Sequence, residues 1–194
     1  MKILFFIESL RAGGKERRIV ELLKGLKSFP KIQVELVLTR REIHYKEILQ
    51  LGIPIHFAER RFLKKDPFVF LKFYRIARKF KPDIIHVWGH MVAFYAVPAK
   101  KLLRVPLLNS EITDATPGQK LIAKQWVFAA SDKIIANTRA GLLAYQAPPH
   151  KSGVIYNGFN FERLKKVEAE DVIRSRYTIR TRFVIAMVAS FSDY

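Results

Sequence analysis

Short, almost purely apolar runs recur along this chain and alternate with longer stretches whose apolar residues return every three or four positions. The first run is Ile3-Leu4-Phe5-Phe6-Ile7; others are Gln33 to Thr39, Ile53 to Phe57, Ile84 to Trp88, Pro106 to Asn109, Lys133 to Ala136 and Gly153 to Tyr156. A strand without polar alternation must be covered on both faces, which points to a parallel sheet between helices. The intervening stretches supply the crossovers that parallel pairing requires. Helices are expected after Gly13-Gly14, with Ile19, Val20, Leu22, Leu23 and Leu26 on one face, and over Tyr45 to Leu51, ended by Gly52. Further ones are expected over Pro67 to Phe80, Met91 to Leu103, Gly118 to Ala130 and Arg139 to Tyr145. The predicted class is α/β: a Rossmann-like parallel sheet with helices on both faces.

At 194 residues the chain has room for one such domain and a short extension. It contains no cysteine, so disulfides and thiolate metal sites are excluded. The opening run is closed by Glu8 and is too short for a signal sequence. No apolar stretch reaches the roughly 20 residues of a membrane span. The expected location is cytoplasmic, or peripheral on the inner face of a membrane. Lys plus Arg number 35 against 17 for Asp plus Glu, a net charge of +18, which favours polyanionic partners. No zinc spacing, helix-turn-helix pattern or aromatic RNA-binding strand accompanies that charge, so nucleic acid is not the expected partner.

The character changes after Asn157-Gly158. Residues 161–181 are charged and read as a linker with a helix at its end, whereas 182–194 contain Phe183-Val184-Ile185-Ala186-Met187-Val188. The expected organisation is a domain over 1–160, a linker over 161–181, and the first strand of a second α/β domain over 182–194. A lone apolar strand from Arg182 to Phe191 would be disordered or would pair with another copy of the chain in a dimer.

Between the first run and the first helix lies Glu8-Ser9-Leu10-Arg11-Ala12-Gly13-Gly14-Lys15-Glu16-Arg17, which is not the GxGxxG of dinucleotide folds. Paired glycines let backbone approach a ligand, and a helix start offers unpaired N–H groups to an anion such as a nucleotide phosphate. The same pair also serves simply as a tight turn. Its place, at the carboxyl end of a first parallel strand, is where open α/β sheets bind ligands.

The opening strand followed by Gly13-Gly14-x-Glu16-Arg17 resembles the start of the family 4 retaining glycosyltransferases, which have the two-domain GT-B architecture. Pro82-Asp83-Ile84-Ile85-His86-Val87-Trp88-Gly89, Ser110-Glu111, Asp132-Lys133-Ile134-Ile135-Ala136-Asn137-Thr138 and Val154-Ile155-Tyr156-Asn157-Gly158 resemble further family segments in the same order. Met187-Val188-Ala189-Ser190-Phe191 resembles the strand that opens the family's donor domain. The resemblance implies the N-terminal half of a GT-B fold. The whole enzyme would transfer a sugar from a nucleotide-sugar donor to a glycan or lipid-linked acceptor, as in cell-envelope polysaccharide synthesis. This half alone would be inactive.

It also implies that Gly13, Gly14 and Lys15 support the donor phosphates and that His90 and Glu111 are the catalytic candidates. No cofactor and no metal are implied, since the nucleotide-sugar is a substrate. The family often carries a second histidine where this chain has Trp88; His90 stands two residues further on. His86 also reads as a strand histidine packed beneath helices and His90 as an ordinary loop residue. Glu111 fits an acceptor-binding or base role, or a cap or ion pair, and Asn137 and Thr138 fit a helix cap.

The stretch Arg60 to Lys81 is strongly basic (Arg60, Arg61, Lys64, Lys65, Lys72, Arg75, Arg78, Lys79 and Lys81, against Asp66 alone) and interleaved with aromatics. At helical spacing Val69, Phe73, Ile76 and Phe80 form a stripe for the sheet, with Lys72, Arg75 and Lys79 opposite, flanked by Phe68 and Leu71. That outer face reads either as a solvated charged surface or as an interfacial helix on anionic lipid. The alternative to the transferase is therefore a non-catalytic basic module that binds anionic membranes or nucleic acid.

Overall fold

The computed structural model describes residues 1–60, 66–112 and 121–187. They divide into two units, Met1–Gly158 and Phe159–Tyr194. In the first, seven parallel strands lie in the order β3-β2-β1-β4-β5-β6-β7: β1 (Lys2–Ile7), β2 (Gln33–Leu38), β3 (Ile55–Phe57), β4 (Ile84–Trp88), β5 (Leu107–Ile112), β6 (Lys133–Ala136) and β7 (Ser152–Val154). The crossovers carry helices α1 (Gly14–Leu26), α2 (Phe68–Phe80), α3 (His90–Leu103), α4 (Leu121–Ala130) and α5 (Arg139–Ala144). The expected α/β class, a parallel sheet with crossover helices, is what the chain forms.

Alternation within β1 divides the core. Leu4 and Phe6 join Val37, Ile85 and Val87 beneath α2 and α3, whereas Ile3, Phe5 and Ile7 join Leu36, Leu38 and Trp88 beneath α1. Phe6 stacks on Phe73 of α2, with ring centroids 4.3 Å apart. Two aspartates that precede strands fix their neighbours' register: the carboxylate of Asp83 accepts from the Lys2 amide at 2.7 Å, and that of Asp132 from the Leu107 amide at 2.7 Å.

Several local expectations change. Leu22 of α1 is exposed, because the stripe buried there is the narrower Ile19, Val20 and Leu23. Lys46–Leu51 is a 3-10 helix, a segment too short to sustain α-geometry, and Gly52 ends it in the left-handed region at φ 64°. The inner stripe of α2 includes Ala77 with Val69 and Phe73, while Ile76 and Phe80 are half-buried. Lys72 turns away from the solvent face and donates to the Glu59 carbonyl at 2.6 Å. The third and last strands are shorter than their apolar runs. The expected basic positions Arg61, Lys64 and Lys65, and residues 118–120 of the expected fourth helix, lie outside the described residues.

The second unit holds a 3-10 helix, Phe161–Lys166, and α6 (Glu170–Arg176), where Arg176 forks onto Glu168 at 2.6 and 2.7 Å. Residues 183–187 form no strand, and Phe183, Ile185 and Met187 are exposed. The rest of the expected strand, 188–191, lies outside the described residues.

Replacing Phe73 with alanine removes a fully buried ring stacked on Phe6. It should cost about 3–5 kcal/mol in urea unfolding. Arg75→Ala, on the exposed side of the same helix, should stay within about 0.5 kcal/mol of the parent.

Candidate functional site

The carboxyl edge of β1 continues into a loop stitched to the loop after β2. The Glu8 carbonyl accepts from the amides of Thr39 and Arg40, both at 3.0 Å, and Leu10 forms a bridge with Ile43. Ala12 N–H then donates to His44 Nδ1 at 3.1 Å. Gly13 N–H donates to the Tyr45 hydroxyl at 3.0 Å, and that hydroxyl donates back to the Gly13 carbonyl at 2.9 Å. The Gly13 amide is therefore already engaged. The amides left for a ligand are those of Gly14, Lys15 and Glu16, which open α1 and have no intrahelical acceptor.

Gly13 has an extended backbone that any residue adopts; its missing side chain leaves room for the Glu16 carboxylate. A Cβ there would lie 2.3 Å from Glu16 Oε2, because the Glu16 carboxylate folds back against the start of its own helix. Negative charge is favoured at that end of a helix dipole. Lys15 Nζ stands 3.4 Å from Glu16 Oε1 and 3.5 Å from where a Cβ on Gly89 would be. Gly89 adopts φ 124°, a conformation suited to glycine, and is the N-cap of α3. Lys15 thus reaches from the start of α1 towards the start of α3.

The predicted residues fall at the same edge of adjacent strands. Gly13, Gly14 and Lys15 follow β1, His90 opens α3 directly after β4, and Glu111 belongs to β5. The side chain of Glu111 lies outside the described residues. His86 belongs to the interior: it is buried between the rings of Phe5 and Trp88, with Nε2 2.8 Å from Ser110 Oγ. Burial lowers its pKa to about 3, so it is a neutral packing residue. Thr138 caps α5, its hydroxyl accepting from Gly141 N–H at 3.0 Å. Tyr45, His44 and the positive φ of Gly89 were not legible beforehand: the first two belong to the next crossover and meet the glycine turn only through the sheet order. A second cluster at this edge joins Glu8 to Arg60 at 2.6 Å and to Arg40 at 3.1 Å. Among the described residues, no group of three or more His, Asp or Glu is arranged to hold a metal ion.

The family model for Glycosyltransferase Family 4 matches residues 12–163. The chain belongs to this family. Among solved structures, Anabaena Alr3699/HepE in complex with UDP-glucose superposes with a TM-score of 0.74 and 22% identity, over 92% of this chain and 50% of that one. The lipopolysaccharide outer core galactosyltransferase WaaB gives 0.64 and 20%, over 83% of this chain and 47% of that one. Acinetobacter baumannii MurG gives 0.61 and 20%, over 82% and 46%. The chain spans about half the length of each, and its sheet corresponds to the N-terminal half of the GT-B fold. No curated protein matches it in sequence. Family membership disfavours the alternative of a non-catalytic basic module.

The burial of His86 carries a signed pH dependence. Its folded pKa lies near 3 against an ordinary 6.5, so between those values the unfolded chain binds the additional proton. Stability from this group is complete above pH 6.5 and falls as the pH drops towards 3, by up to about 1.4 kcal/mol per unit. His86→Gln should flatten that part of the slope when urea midpoints are compared across the range.

Proposed function

We propose that this domain is the acceptor-side wall of a glycosyltransferase that moves a sugar from a nucleotide-sugar to a glycan or lipid-linked acceptor in polysaccharide synthesis. The observation that carries the reading is the family match over residues 12–163, set on a sheet whose carboxyl edge brings together the starts of α1 and α3. A departing nucleoside diphosphate gains negative charge, and fixed amides with a nearby ammonium stabilise it in a dry cleft. Gly14 and Lys15 offer those groups; the Gly13 amide is engaged by Tyr45. The Glu16 carboxylate would have to swing aside as a phosphate entered. His90 and Glu111 follow the neighbouring strands and are proposed to act on the acceptor hydroxyl, accepting its proton or orienting it. The HepE structure holds UDP-glucose, which makes a uridine nucleotide the first donor to test.

The donor is a substrate in this scheme, and no cofactor is assigned to the domain. A peripheral position on an anionic membrane is part of the proposal, supported by Phe68 and Leu71, exposed on α2 beside Arg75 and Arg78. Among the described residues, no helix is long and apolar enough to cross a membrane. Pairing between copies is proposed through the exposed apolar residues 183–187.

The reading is tested on the full-length gene product that carries this chain. A Cβ on Gly14 meets nothing within 4 Å, so Gly14→Ala should fold normally. By crowding the amides it should weaken donor binding at least about tenfold, measured by calorimetry with UDP-glucose. Lys15→Gln should lower kcat/KM by about ten- to a hundredfold. Unchanged donor binding in both variants would remove the turn from the donor site. Transfer should also proceed undiminished in excess EDTA; a loss restored by added divalent ion would contradict the cofactor-free scheme.

A further inference from the structure

A second concave surface lies far from the glycine turn, at the amino end of the sheet. It is a cleft of about 550 Å³ between the C-terminal half of α2 and the exposed border of β1, β2 and β3. Three cations line it. Arg75 and Lys79 stand one turn apart on α2 and therefore project to the same side. Lys2 supplies the third: its Nζ donates to the Phe80 carbonyl at 3.3 Å and lies 5.5 Å from the centre of the Phe80 ring. Ile76 and Phe80 form the apolar part of the wall, and His56 lines the β3 side. One carboxylate faces the same space, Glu35, and it is held at 2.7 Å by His56 Nε2.

Several basic side chains elsewhere find carboxylates: Arg17 pairs with Glu47 at 2.7 Å, Arg40 with Glu8 at 3.1 Å and Lys100 with Asp132 at 2.8 Å. The sequence of α2 contains no acidic residue, and neither Arg75 nor Lys79 forms an ion pair among the described residues. Like charges one turn apart repel, at a small cost to the helix, and in this concavity three cations face the single lining carboxylate, Glu35, which is already engaged by His56. The unmet chemistry is that of a compact anion with a carbon group attached. Its charge would meet Arg75, Lys79 and Lys2, and its carbon part would cover Ile76 and Phe80. A shallower hollow of about 480 Å³ on the outer face of α2, lined by Leu71, Tyr74 and Arg78, shares Arg75 and Lys79 with the cleft. A longer ligand could continue into it.

We propose that this amino-edge cleft binds an organic phosphate, at a site separate from the carboxyl-edge donor site. The proposal rests on this cleft and not on the transferase reading. Two sources supply that chemistry: a soluble phosphorylated compound or the headgroup of an anionic lipid.

The test uses the 194-residue chain and phenyl phosphate, with inorganic phosphate for comparison. Calorimetry should show saturable binding of phenyl phosphate, tighter than that of inorganic phosphate, and the His56 ring signals should shift in the same titration. Arg75→Gln and Lys79→Gln break no ion pair, so they should leave the melting temperature in place while weakening binding about tenfold or more each. Lys133→Gln, an exposed lysine on β6, should leave it unchanged. A parallel arm uses phosphatidylglycerol vesicles. Vesicle binding lost in Lys79→Gln and in Lys2→Gln assigns the headgroup as the source; phenyl phosphate binding without such vesicle dependence assigns a soluble compound. The proposal is overturned if binding fails to saturate, if Lys133→Gln weakens it as much as the cleft variants do, or if neither probe moves the His56 signals.

Discussion

The structure depends on the position of its first strand. β1 is hydrogen-bonded along both edges, to β2 on one side and β4 on the other, and its alternate side chains anchor the cores on both faces of the sheet. From it the chain winds outward through β2 to β3, then crosses back to begin again at β4. That reversal makes β1 and β4 the two strands whose following loops diverge to opposite faces, and an open sheet forms its ligand crevice at such a point. Gly13-Gly14 and Gly89-His90 lie there because the winding puts them there. The missing side chain at Gly13 leaves the Glu16 carboxylate room to fold in over the backbone.

Much of this was legible in the sequence for simple reasons. A strand buried on both faces has little freedom of composition, so Ile3 to Ile7 and Ile84 to Val87 announce themselves. The helices between them follow from apolar spacing, and their ends from Gly52 and from Pro82 after Lys81. Several residues that suggested the family are structural: Asp83 and Asp132 hold the amides of neighbouring strands, His86 fills the core, and Thr138 caps a helix. Motif and fold are thus partly the same information. What stayed hidden depends on long-range register. That Tyr45 would take both polar groups of Gly13, or that Lys72 would bond to Glu59 rather than face solvent, follows from how the crossovers stack and leaves no periodic trace in the chain.

The surplus of positive charge is likewise unevenly meaningful. Around α1 and the carboxyl edge, cations sit within ion-paired networks: Arg17 and Lys24 with Glu21 and Glu47, Arg40 and Arg60 with Glu8. On α2, whose sequence holds no acidic residue, Arg75 and Lys79 form no ion pair among the described residues. The field there acts over about a Debye length.

Glu16 gives the start of α1 a resident counterion. Its carboxylate folds back against the first turn, beside the Lys15 ammonium, so the positive end of the helix dipole carries its compensation within the chain itself.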